Sequence, residues 1–82
     1  MSQMAKYKEC FSKAFLREDL DESTLLQLEY QGIKEWDSVG HMALIANVED
    51  TFGIMMDMED VVGFSSFQVG IGILAKYDIE VS

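Results

Sequence analysis

The stretch Ser65-Ser66-Phe67-Gln68-Val69-Gly70-Ile71-Gly72-Ile73-Leu74 decides what kind of fold this chain adopts. Val69, Ile71 and Ile73 alternate with two glycines, which is the period of a strand. Against this, Phe67, Ile71 and Leu74 recur at helical steps, and Ser65-Ser66-Phe67-Gln68 has the form of a capping box that opens a helix. Pairing settles the choice. A lone strand leaves its backbone N–H and C=O groups without partners, and the chain offers no second convincing strand. The stretch therefore reads as a helix over residues 66–77, and the fold class as all-α. Asp78 to Ser82 read as a frayed tail.

Working back along the chain, Asp57-Met58-Glu59-Asp60-Val61-Val62-Gly63 predicts a short helix over 57–62. Asp57 caps it, Glu59 and Asp60 fall in its first turn, and Gly63 ends it. These acids do not alternate around the required glycine, and no Glu closes a twelve-residue loop, which excludes an EF-hand calcium site. Residues 38–52 predict a longer helix. Met42, Ile45 and Val48 follow one row and Leu44, Val48 and Phe52 an adjacent one, together a broad apolar stripe. Asp37 is its N-cap, accepting from the free N–H groups of the first turn, and Gly53 is its stop. Gly40 inside that first turn costs up to ~1 kcal/mol relative to Ala. Either another group approaches closely there or the glycine is drift.

Residues 17–36 form a long connection, of a length that is often functional or packed by its own side chains. Asp19, Asp21, Glu22 and Ser23 favour turns. Leu25, Leu26 and Leu28, in at most one helical turn, then Ile33 and Trp36, pin the segment over the core. Residues 3–16 predict the first helix, with Met4, Tyr7, Phe11, Ala14 and Phe15 on one face.

Composition limits the function classes. The chain has 82 residues, no Pro, 49% apolar residues and six Met, which fits one small helical domain. Cys10 is the only cysteine, so no internal disulfide and no cysteine-based metal site can form. It reads as a small hydrophobe. The sequence is consistent with a reducing compartment, and a cytoplasmic location is expected. The start Met1-Ser2-Gln3-Met4-Ala5-Lys6 lacks the apolar core of a signal peptide, and no run approaches the ~20 apolar residues that span a bilayer. The net charge of −9 is uneven, with +3 over residues 1–17 and −12 over residues 18–82. Such a field repels nucleic acid and anionic membranes and attracts basic protein patches. The plainer alternative is that acidity only keeps a small monomer in solution.

Chemistry centres on Ser38. Ser38 and His41 are three apart and can meet on a helix surface, with Asp37 or Asp50 nearby. A Ser-His-Asp site also needs a buried orienting group, an oxyanion hole and a cleft, for which a small bundle leaves little room. His41 is the only histidine, so a histidine-rich metal site is excluded. The alternative is that Ser38 is modified by another enzyme. A serine hydroxyl at a helix N-terminus suits a phosphodiester, because the dipole and free N–H groups favour negative charge.

With Asp37-Ser38-Val39 opening the second helix after a long connection, and with Met42, Leu44, Ile45, Val48, Glu49, Asp50 and Phe52-Gly53-Ile54 following it, the chain resembles the acyl carrier protein family over nearly its whole length. The resemblance implies a four-helix bundle with a long first loop and a short third helix. It implies that a phosphopantetheinyl transferase, using Mg²⁺ and coenzyme A, attaches 4′-phosphopantetheine to Ser38. The arm's thiol would carry an acyl group as a thioester to acyl-transfer enzymes, and the protein would be a carrier, not an enzyme. An aminoacyl or peptidyl carrier serving an adenylating enzyme is the nearest alternative. An unmodified acidic interaction module is the alternative of another class.

Val39 stands where the family has Leu. Gly40, His41 and Ala43 occupy first turns that are acidic in fatty acid carriers, and the acids come later, at Glu49 and Asp50. The expected docking face is the second helix with the short third one: Val39, Gly40, His41, Met42, Ala46, Glu49, Asp50, Glu59 and Asp60. Within it Met42 reads first as core and secondarily as an apolar contact. Trp36 reads first as a plug of the connection onto the core, with packing against His41 as the alternative. A cargo pocket is expected between the second and fourth helices.

Overall fold

Ser66, one residue beyond the start that the capping-box spacing implies, opens the deciding helix. Its backbone is extended, and its hydroxyl accepts from the Val69 N–H at 3.0 Å. In this computed structural model, in which residues 2–81 are described, the helix runs Phe67–Ala75. Gln68 closes no capping box, because its Nε2 donates to the Leu26 carbonyl at 2.6 Å. Phe67, Gly70, Ile73 and Leu74 point inward, at three- and four-residue steps. Gly70 mimics a strand in sequence for a packing reason: a Cβ there would run into the Tyr7 hydroxyl and the Phe64 ring. Gly72 faces open space, and nothing in the structure explains it.

In chain order the described residues form α1 (Gln3–Phe15), α2 (Glu22–Leu26), α3 (Ser38–Phe52), α4 (Met58–Gly63) and α5 (Phe67–Ala75). The only extended pairing among them is one bridge between Glu29 and Ser66. The fold is all-helical with five helices where four were expected. The added one, α2, lies in the long connection and begins where the Asp21 carboxylate accepts from the Thr24 N–H at 2.8 Å. None of the helices is long and apolar enough to cross a membrane.

An aromatic cluster joins these pieces. Phe11 of α1 meets Tyr7 and Trp36 edge-on, with ring centroids at 5.1 and 5.6 Å, and packs on Phe67 of α5 at 5.1 Å. Edge-to-face contacts of this kind add roughly 0.5–1.5 kcal/mol each beyond their buried area. The Tyr7 hydroxyl donates to the Phe67 carbonyl at 2.6 Å, and burial pushes its ionisation well above the ordinary tyrosine range. Leu20, Leu25, Leu28 and Trp36 are buried, so the long connection wraps the bundle. The radius of gyration, 11.3 Å, agrees: it is close to the ~12 Å of a compact chain of this length.

Three expectations need correction. Leu26 does not anchor the connection; it is 41% exposed, while Leu25 and Leu28 do that work. The tail is not frayed within the described residues. Asp78 turns the chain with φ 64, the Ile79 N–H donates to the Leu74 carbonyl at 3.1 Å, and Ile79 and Val81 are buried. Ser82 lies outside the described residues. Met42 is not core, at 57% exposure. It shares a row with Ile45 and Val48, but that row reaches the rim of the stripe, and Leu44, Ile45 and Val48 alone fill its centre.

Candidate functional site at the head of α3

Asp37 holds the start of α3. Its carboxylate accepts from the Gly40 N–H at 2.8 Å, and its carbonyl from the His41 N–H at 2.7 Å. Ser38 is therefore the first residue of a capped fifteen-residue helix, and it is exposed. The helix ends at Gly53, which takes a left-handed conformation with φ 66. Capping of this kind stabilises by roughly 0.5–2 kcal/mol. It consumes the Gly40 donor, while Ser38 and Val39, as the first two helical residues, have no intrahelical acceptor for their N–H groups.

The connection crosses this helix start at very close range. A Cβ on Gly40 would overlap the Glu35 carbonyl, so the glycine marks a close approach and not drift. Glu35 is held by Arg17 at 3.3 Å, and the same guanidinium pairs with Asp19 at 2.6 Å. Arg17 thereby clasps both ends of the connection. Its bond to Asp19 lowers that carboxyl below its ordinary range and raises the guanidinium further. Next to Glu35, Trp36 is fully buried against Phe11 and Phe15.

Both readings of Trp36 hold together. It plugs the connection onto the core, and its Nε1–H also donates to His41 Nδ1 at 3.0 Å. The two rings are within 15° of parallel with centroids 6.3 Å apart, so they meet edge to edge through this bond. His41 Nε2 lies 2.7 Å from the Val61 carbonyl of α4. Because Nδ1 accepts, the hydrogen sits on Nε2 and donates to Val61, and the imidazole is neutral. Both ring nitrogens are engaged, so in this arrangement His41 does not act as a base toward Ser38. Beside it a cavity of about 250 Å³ is lined by Tyr30, His41, Val62, Phe64 and Ser65. It lies between α3, the end of α4 and the connection, whereas the expected cargo pocket was between α3 and α5.

The other expected site residues divide. Val39, at 78% exposure, and Met42, one turn on, are presented beside Ser38; Ala46 is exposed a further turn along α3, and Asp50 and Glu59 are exposed. Gly40 is buried and offers no contact surface. Glu49 is half-buried and accepts from the Met56 N–H at 2.8 Å. Asp60 departs most from expectation: it is buried, bonded to Lys76 Nζ at 2.6 Å and to the Tyr77 hydroxyl at 2.5 Å. Those bonds hold its carboxyl below the ordinary range and raise Lys76 and Tyr77. An acid so engaged ties α4 to the end of α5 and is not offered to a partner. Asp57 sits at the cap position of α4 but makes no side-chain cap bond.

Sequence reasoning missed Arg17, Tyr30 and Val61 as supports of this corner, and Met55, Met58 and Val62 as exposed apolar residues. Met58 and Val62 are four apart and share one face of α4, which the spacing alone left equally open to burial or exposure. No family model matches the chain, and no curated protein or solved structure matches it.

Proposed function

We propose that the protein is a carrier whose Ser38 hydroxyl receives a 4′-phosphopantetheine arm from coenzyme A. The supporting observation is the placement of Ser38: an exposed hydroxyl, first in a capped helix, with the free Ser38 and Val39 N–H groups available to a phosphodiester. The close crossing at Gly40 and the Trp36 plug brace that helix start, so the hydroxyl stands on a rigid element. In the transfer, an O–P bond forms at Ser38 Oγ. The adenosine bisphosphate part of coenzyme A leaves, and the serine proton passes to a base of the Mg²⁺-dependent transferase. The bound arm supplies a thiol that holds an acyl group as a thioester. This chain's residues present the arm, and the four-helix carrier bundle of the family corresponds to α1, α3, α4 and α5.

The test is intact-protein mass after incubation with coenzyme A, Mg²⁺ and a broad-specificity transferase. A gain of one arm, abolished by Ser38→Ala, is expected. Absence of any gain in a folded sample overturns the carrier reading and leaves the acidic interaction module. Mass spectrometry of the loaded protein then separates acyl from aminoacyl cargo.

A further inference from the structure

We propose that His41 is a proton-sensitive latch that fixes α4 and the buried Trp36 to the head of α3, and so sets the surface around Ser38. The latch is the chain Trp36 Nε1–H···Nδ1 His41 Nε2–H···O=C Val61, with links of 3.0 and 2.7 Å. It joins three parts of the molecule: the end of the connection, the first turn of α3, and α4. Only the neutral Nε2–H imidazole can make both bonds. A proton added at Nδ1 sets two N–H donors against each other and breaks the Trp36 link, while the Val61 link survives in either state.

The surroundings give that proton access and few compensating charges. His41 is half-buried and borders the 250 Å³ cavity. From the connection it is faced by the Tyr30 ring, edge-on at 5.5 Å, and by Trp36. From α4 and the segment after it come the Val61 carbonyl and the Phe64 ring, with Val62 and Ser65 lining the shared cavity. On its own element the nearest acid in sequence is Asp37, whose carboxylate is committed to the Gly40 N–H. Tyr30 and Asp37 are thus the titratable groups to be controlled for. The latch is therefore closed with the neutral Nε2–H imidazole and open once Nδ1 carries a proton.

Two features make the consequence local to Ser38. Met42 and Val62 directly follow the two bonded residues, His41 and Val61, and both are exposed, at 57% and 75%. Their spacing is therefore set by the latch. Trp36 precedes Asp37, the cap of α3, by one residue. His41 is a positioning residue in this account, acting through Trp36 and α4. The latch stands on geometry alone; its effect on Ser38 rests on the carrier reading.

The test follows the single Trp. Nitrogen-15 spectra of the full chain report the His41 tautomer and the Trp36 indole N–H from about pH 8 to pH 5. His41→Gln is the conservative variant, since an amide can accept from Trp36 and donate to Val61 without titrating. As His41 becomes doubly protonated, the Trp36 indole resonance should shift. Its exchange rate should rise about five- to tenfold over that of His41→Gln at the same pH, as loss of one hydrogen bond worth ~1 kcal/mol implies. Tyr30→Phe and Asp37→Asn should keep the transition. An imidazole that gains its proton without moving the indole signal, or that never gains it across the range, overturns the latch in the wild-type chain alone. The second arm is the ratio of Ser38 modification rates, wild type to His41→Gln, with one transferase so that its own pH dependence cancels. The ratio should change with pH. A flat ratio with both proteins modified sinks the coupling to Ser38 and leaves the carrier reading intact. No modification of either protein sinks the carrier reading, and the indole signal alone then decides the latch.

Discussion

Two helix starts, Asp37-Ser38-Val39-Gly40 and Asp57-Met58-Glu59-Asp60, look alike in sequence and behave in opposite ways. At the head of α3 the Asp37 carboxylate is used on its own helix, and the next side chain, Ser38, is left exposed. At the head of α4 the Asp57 carboxylate makes no cap bond, and its N–H instead donates to the Tyr77 hydroxyl at 3.0 Å. The acid that matters there is Asp60, turned inward onto Lys76 and Tyr77. At the first corner the cap acid bonds within its own turn, whereas at the second Asp60 bonds residues sixteen and seventeen positions on and is withdrawn from the surface. An acidic helix start therefore says little about docking until the partner of each carboxylate is known.

The sharpest way to break this contrast is at Gly40. Gly40→Ala should destabilise by about 3 kcal/mol or more, because the added methyl meets the Glu35 backbone carbonyl, which cannot rotate away. Gly72→Ala, in open space, should instead stabilise by about 0.5–1 kcal/mol. Urea unfolding of the two variants measures both. Equal effects would mean that the connection does not cross the helix start as described.

Asp60 tests the second corner through pH. Its carboxyl is lowered in the folded protein by Lys76 and Tyr77. The stability it contributes is therefore present above the unfolded value of about 3.9 and is lost as pH falls through the lower folded value. Asp60→Asn should lower the urea midpoint at neutral pH, by more than Asp50→Asn does. Below about pH 4 the wild-type curve should fall toward that of the variant. Curves that stay parallel down to about pH 2 would show that the Lys76 pair contributes nothing.

The smallest expected difference compares the two caps directly. Asp37→Ala should cost about 1 kcal/mol through loss of the bond to the Gly40 N–H. Asp57→Ala should cost within ~0.5 kcal/mol, since there is no cap bond to lose. Thermal unfolding resolves the pair, and an equal cost for both would erase the distinction between the corners.

What was legible in the sequence was local. The helical reading of 65–74 rested on the serine pair and on backbone pairing, and Ser66 caps the helix, though one residue off the expected register. Asp37 and Gly53 bound α3 because capping chemistry lies within a turn of the residue concerned. What was not legible depended on distant partners. Gly70 needs Tyr7, and Asp60 needs two residues sixteen and seventeen positions on. Met42 looked like core because a row on a helix does not show how wide its buried stripe is. The tail looked frayed because the burial of Ile79 and Val81 follows a left-handed turn at Asp78, a conformation that Asp tolerates but does not dictate.

The bridge between Glu29 and Ser66 has a bearing on how the molecule breathes. The Tyr30 N–H donates to the Ser65 carbonyl at 2.8 Å, and the Phe67 N–H to the Leu28 carbonyl at 3.0 Å. The first of these amides belongs to an exposed residue in irregular chain, where solvent deuterium ordinarily enters within the shortest labelling times. Here it can enter only when the connection lifts from the head of α5. A slow amide at residue 30 thus acts as a clock for the release of the whole wrapped segment, read separately from the fraying of any helix.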